Sequence, residues 1–283
     1  MASATFNSLA ILDAIPHGEL NTARHLRESI LDLAPILNAN LHVSLTSIDT
    51  PASLDAVLSE LVVDAETKGR MPWLHIEGHG VTDETGFQTA NGGFCSWNHL
   101  KEILTPLNIA TRLNVIVVFA TCYGGSFASA ITTTDRAPVL GLIGPGREIM
   151  AGDVELDFKA FYRAFFASNS IKDALCALTA RSMGNAYFAT NAQTFFCDVW
   201  RAYKRTLCTP EMVEARANVV REGLLKTIGP GAPSLADLKS AIRGYERPQF
   251  IKFRDTYFMY DLFPENRERF HLTYEEAESQ SAR

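Results

Sequence analysis

The chain has 283 residues, 47% hydrophobic and 20% charged, the proportions of a globular protein able to bury a sizeable core in one large domain or one domain with an appendage. A formal charge of −6 with no basic stripe argues against a nucleic-acid partner. No apolar run is long enough to cross a bilayer, and "MASATFNSLAILDAIPHGEL" lacks the basic start and long apolar stretch of a secretory signal, so a cytoplasmic chain with no membrane partner is expected.

In chain order, residues 6–15 ("FNSLAILDAI") read as a strand, and residues 21–37 as a helix whose apolar residues recur at intervals of three and four. A second strand is predicted over 41–48. A helix over 53–69 follows, with Ser53 as its N-cap and Gly69 at its end. "PWLHIEG" (72–78) is a third strand, and "GFQTANGGFCSW" (86–97) a hairpin about Asn91-Gly92. A helix near 98–107 leads to the apolar strand "VIVVFA" (115–120), and "VLGLIG" (139–144) is a fifth strand before two helices, 154–169 and 170–182. This alternation predicts an α/β fold with a mostly parallel central sheet and helices on both faces. From about residue 186 the pattern turns helical, over 195–207, 210–228 and 234–245, interrupted by "GPGAP" at 229–233. An aromatic-rich stretch (250–263) and a polar tail close the chain. The organisation expected is therefore a domain over 1–185 and a mainly helical extension over 186–283.

The five cysteines, Cys95, Cys122, Cys176, Cys197 and Cys208, are odd in number, widely spaced and without C-x-x-C pairs. That pattern fits neither a disulfide framework nor a zinc ribbon, and it suits a reducing compartment in which most of them are small buried residues. Cys122 has a reason to differ. In open α/β sheets reactive groups collect at the carboxyl ends of strands. Here one strand ends in "ATCYGG" and another in "HIEGHG", each followed by glycine. Strand alternation puts His75, Glu77 and His79 on one face, with His79 at the end. A histidine and a cysteine on neighbouring strand ends form a base–nucleophile pair, and the N–H groups of Cys122 and Gly80 are placed to receive a developing oxyanion. His75 and His79 also have the four-residue spacing of a helical zinc site, but proline, tryptophan, isoleucine and two glycines around them oppose a helix, and no metal is expected. "GHGVTDETG" and "GPGREI" lack the lysine and serine spacing of a phosphate loop, and no cofactor is expected.

An apolar strand ending in His-Gly, followed by an apolar strand ending in Cys-x-Gly, resembles the caspase-like cysteine peptidases, and among them the bacterial CHAT-type branch. The resemblance spans about residues 72–180: "LHIEGHG", "VIVVFATCYGG", "VLGLIG", Asp153, "FYRAFF" and "KDALCALTA" fall in that branch's order. It implies a three-layer sandwich, with His79 as general base, Cys122 as nucleophile and the Gly80 and Cys122 amides as the oxyanion hole. It further implies a protein substrate, control by an activating or inhibitory partner, and a setting in defence or cell death. Where caspases carry Q-A-C-x-G this chain has Ala120-Thr121-Cys122-Tyr123-Gly124, which excludes a true caspase but not the wider group. Asp13 and Asp153, near strand ends, are the candidates for a substrate pocket that would pair with a basic side chain. The alternative for each is a helix cap or a solvent-facing carboxylate.

Two other readings stand beside this one. In an α/β-hydrolase, small-x-Cys-x-Gly is a nucleophile elbow, but the histidine follows the nucleophile, and only His271 lies beyond Cys122. A non-catalytic interaction module on the same scaffold would use the aromatic segment 250–263 for docking, although burial in a core is the plainer use of those rings.

Overall fold

A computed structural model describes residues 5–37, 41–181 and 186–279. The ends of two expectations, Ser182 in the helix over 170–182 and the last residues of the polar tail, lie outside the described residues, as does residue 185 at the expected domain boundary.

The chain divides into two compact units, residues 1–131 with 137–192, and residues 132–136 with 193–283. The first unit is α/β. Its main sheet contains β1 (Ser8–Asp13), β2 (His42–Ser47), β3 (Pro72–Glu77), β7 (Ile116–Ala120), β8 (Gly141–Pro145) and β9 (Tyr187–Asn191), in the order β2-β1-β3-β7-β8-β9. The first five strands of that order run parallel, and β9 joins β8 antiparallel. A second sheet is built from β4 (His79–Gly80), β5 (Gly86–Gln88) and β6 (Phe94–Ser96). The expected hairpin about Asn91-Gly92 is its β5–β6 arm, closed by Thr89 N–H donating to Gly93 O at 2.8 Å, with Gly92 at φ +78°.

Strand alternation sorts the core into two layers. Leu9, Ile11, Trp73, Val118, Ala120 and Ile143 point to one face, where they meet α1 (Thr22–Leu37), α4 (Ala151–Ser168) and α5 (Ile171–Arg181). Trp73 is the centre of that layer. Its indole lies 4.7 Å from the Phe165 ring and 6.0 Å from Phe161, edge-on to both, and 5.4 Å from Phe6. On the opposite face Phe119 of β7 meets Trp97 of α3 (Trp97–Ala110) at 5.2 Å and Phe127 at 5.6 Å, while α2 (Pro51–Lys68) packs beside α3. Helices therefore cover both faces, as the alternating pattern predicted.

One local expectation is corrected, and two strands are added. The N-cap of α2 is Thr50, not Ser53: Thr50 Oγ1 accepts from Ser53 N–H at 3.1 Å, and Ser53 Oγ accepts from Thr50 N–H at 3.0 Å. Ser53 is thus the third residue of a reciprocal capping box, and Pro51 takes the first helical position, where no N–H is needed. The two-residue strand β4 was not foreseen. Nor was β9, whose exposed edge position leaves it without the continuous apolar run that marked the inner strands.

The second unit is helical: the segment of α6 (Ala192–Leu207) from Gln193 onward, then α7 (Pro210–Ile228), α8 (Leu235–Gly244), α9 (Glu246–Tyr257), α10 (Asn266–Arg269) and α11 (Tyr274–Ser279). Its core answers the question about the aromatic stretch. Phe250, Phe253, Tyr257, Phe258 and Tyr260 are buried, and Phe196 and Trp200 of α6 pack on Phe250 at 5.6 and 5.2 Å. These rings form the core of the unit, not a docking surface. Thr132–Arg136, from the middle of the chain, belongs here too: Arg136 forks onto Asp261 with bonds of 2.7 and 2.6 Å.

Replacing Trp73 by alanine removes the ring on which four aromatic partners converge, Phe6, Phe161, Tyr162 and Phe165. The expected loss is about 3–5 kcal/mol of unfolding free energy, read as a lower urea midpoint in far-UV circular dichroism.

Candidate active site

The strand register brings the two sequence-selected strand ends together. Asp13, Glu77 and Ala120 are level across β1, β3 and β7, so His79 and Cys122 each lie two residues past the same line on adjacent strands. The contact between them is made by backbone. A Cβ on Gly80 would collide with the Cys122 carbonyl oxygen and lie 2.7 Å from its carbonyl carbon and 3.1 Å from its Cα. Only glycine permits that approach.

Both candidate oxyanion donors are free. Val81 N–H donates to Gly86 O at 3.2 Å, and residues of an antiparallel ladder turn their N–H groups alternately toward and away from the partner. Gly80, one residue earlier, therefore directs its N–H out of the ladder. Among the described residues neither the Gly80 nor the Cys122 N–H has an acceptor.

The turn that presents Cys122 is tightly held. Tyr123 adopts the left-handed conformation (φ +58°, ψ 21°), an uncommon state for a bulky residue, and this bends the chain out of β7 immediately after the cysteine. It is braced by Tyr123 N–H donating to Arg147 O at 3.3 Å and by Ser126 N–H donating to Tyr123 O at 2.8 Å. Gly124 then enters a 3₁₀ turn (Gly124–Ala130) against β7, where a Cβ would collide with that of Phe119. Burial and the nearby Glu148 and Glu84 carboxylates hold the Tyr123 phenol above its usual range.

Cys122 is half-buried, and its Sγ rests against the loop after β8, where Ile149 N–H donates to it at 3.5 Å and Ile149 O accepts from it at 3.7 Å. His79 is half-exposed, and its imidazole Nε2 lies 2.8 Å from Oε2 of Glu19, on the loop between β1 and α1. His79 and Cys122 are thus neighbours through Gly80, while each side chain holds a different partner. Glu19 and Ile149 carried no sequence signal, because both sit in irregular loops.

The other sequence-selected residues have these places. Asp13 is buried at the end of β1, accepting from Ile15 N–H at 3.1 Å and Asn21 Nδ2 at 3.2 Å, and burial raises its pKa. Asp153 is exposed in the first turn of α4, where a carboxylate complements the helix N-terminus. His75 and Glu77 are buried below the site. His75 Nδ1 meets Tyr162 OH at 3.1 Å, His75 Nε2 meets Glu77 Oε1 at 3.0 Å, and Thr22 Oγ1 donates to Glu77 Oε2. His271 belongs to the second unit, exposed and 4.0 Å from Glu276.

The remaining cysteines separate by burial. Cys95 and Cys197 are core residues whose thiols burial pushes up to about 12 and about 11, whereas Cys208 is half-buried and Cys176 exposed, so that two of the five cysteines are buried where most were expected to be.

A scan of the chain against models of known protein families finds no match, and a search of the curated proteins finds none either. The reading of this site therefore rests on its own geometry: an open, mostly parallel α/β sheet with a cysteine and a histidine on adjacent strand ends.

Thiolate is the reactive form of cysteine, so Cys95 and Cys197 will stay unmodified when the folded protein meets iodoacetamide at pH 8. Peptide mapping by mass spectrometry is expected to find Cys122 alkylated, with Cys95 and Cys197 modified only after unfolding.

Proposed function

We propose that the first unit is a caspase-like cysteine endopeptidase that cleaves a protein partner. The observation that carries this reading is the close approach of Gly80 to the Cys122 backbone, which joins a histidine-bearing strand end to the cysteine-bearing one, with the Gly80 and Cys122 N–H groups both without an acceptor among the described residues. In the reaction His79 takes the Cys122 proton, and the thiolate attacks the scissile carbonyl carbon. The carbonyl oxygen becomes an oxyanion that the Gly80 and Cys122 N–H groups receive. The proton held by His79 then passes to the departing amine as the C–N bond breaks, leaving a thioester on Cys122. Water, deprotonated by His79, hydrolyses the thioester and restores the thiol.

The placement of the strained residue also supports this reading over the hydrolase. The positive φ falls on Tyr123, so the strain turns the chain after Cys122. The hydrolase reading also needs His271 as its base.

Single variants assayed on a peptide library and on candidate partner proteins separate these readings. Cys122→Ala and His79→Ala are expected to abolish cleavage, and His271→Ala to retain it. Full activity in His79→Ala together with loss in His271→Ala would transfer the assignment to the hydrolase, and cleavage by Cys122→Ala would refute both. Gly80→Ala forces the Cys122 carbonyl aside and displaces both oxyanion donors, so kcat is expected to fall by about 100-fold or more in a protein whose circular dichroism is unchanged.

A further inference from the structure

Resting on the dyad reading, the structure assigns Glu19 as the residue that positions His79 and sets which ring nitrogen acts as base. An ionised carboxylate only accepts hydrogen bonds, so the 2.8 Å contact between Glu19 Oε2 and His79 Nε2 keeps the proton of the neutral imidazole on Nε2. The lone pair is then on Nδ1, which becomes the atom that takes the Cys122 proton. When that proton arrives the ring turns cationic, and the Glu19 carboxylate lies directly against the new charge. No atom of Glu19 touches the substrate or the thiol in this scheme; it acts through the histidine.

A glutamate on a loop is a useful orienter only if the loop is held, and this one is anchored at both ends. At its start, Ala14 N–H donates to Glu77 O at 2.8 Å and Ile15 N–H to Asp13 Oδ1 at 3.1 Å. Within it, Glu19 N–H closes a turn onto Pro16 O at 3.3 Å, and Gly18 takes φ +95°. At its end, Asn21 Oδ1 accepts from Arg24 N–H at 2.8 Å and so caps α1, while Asn21 Nδ2 donates to buried Asp13 at 3.2 Å. The next residue, Thr22, is bonded to buried Glu77, whose other oxygen takes His75 Nε2 at 3.0 Å; the far ring nitrogen of His75 meets Tyr162 of α4. A fully partnered buried chain of four side chains, Tyr162, His75, Glu77 and Thr22, thus fixes the N-terminus of α1 to the sheet three residues after Glu19. Such a network specifies one arrangement of the elements it joins.

The pair itself is half-exposed on both sides, so it adds little to folding. This separates a positioning role from a structural one. The test uses the full-length protein and iodoacetamide, with the alkylation rate of Cys122 followed by peptide mass spectrometry at pH 7. Glu19→Ala is expected to slow that alkylation about tenfold with an unchanged melting temperature, the scale on which removing the partner that orients a metal-bound histidine acts. Glu19→Gln, which keeps an acceptor for Nε2–H but not the charge, is expected to fall between Glu19→Ala and wild type. The imidazole ¹⁵N spectrum should show His79 protonated on Nε2 in wild type and a mixture of tautomers in Glu19→Ala. Wild-type alkylation and an unchanged His79 spectrum in Glu19→Ala would overturn the assignment. A parallel His79→Ala protein distinguishes the levels. If it too leaves Cys122 alkylation unchanged, the dyad reading itself fails; if it alone slows alkylation, only the role of Glu19 fails.

Discussion

The candidate site depends on one steric fact: the backbone at Gly80 lies so close to the backbone at Cys122 that no side chain fits between them. Two parallel strands end side by side in any sheet of this kind, but their following loops ordinarily diverge to make room for side chains. Here the loop after β3 folds straight into the short strand β4, and the loop after β7 turns at once on the left-handed Tyr123. Both departures press the chain inward. The result is a pair of N–H groups, on Gly80 and on half-buried Cys122, with no acceptor among the described residues, an arrangement that leaves polar groups unsatisfied unless something binds there.

The layer below holds these loops in place by two different means. Toward α4 and α5 the sheet is packed with rings, Trp73 among Phe161 and Phe165, which resist displacement because a close-packed interior has no space to yield. Nearer the carboxyl ends of the strands the same face changes to polar partners, His75 and Glu77 of β3 reaching Tyr162 and Thr22. Burying such groups is unfavourable unless every hydrogen bond is met, and here the ring nitrogens of His75 and both carboxylate oxygens of Glu77 are engaged. The polar segment of the strand is the part that meets the start of α1 and, through it, the loop carrying Glu19.

Much of the fold was legible in the residues. The inner strands are short apolar runs, the helices repeat at three and four, and the carboxyl ends of β3 and β7 are marked by histidine, cysteine and glycine. The misses have local causes. Periodicity points to Ser53 as the cap of α2 because Pro51 separates Thr50 from the helix pattern, and the capping box shows only when Thr50 and Ser53 are taken together. Strand β9 lies at an exposed edge and carries no buried run. The pentapeptide Thr132–Arg136 groups with a unit that begins some sixty residues later through the fork of Arg136 on Asp261, a pairing with no trace in either segment's own pattern.

What the sequence determined by itself was the class of the sheet and the choice of Cys122 and His79 as the candidate pair, because periodicity and the chemistry of strand ends are local properties of a few consecutive residues. Only the tertiary structure decided which groups surround them. Glu19 on His79, Ile149 on Cys122 and the Gly80–Cys122 contact each join segments far apart in the chain, and that proximity is set by strand order and register, which no single segment encodes.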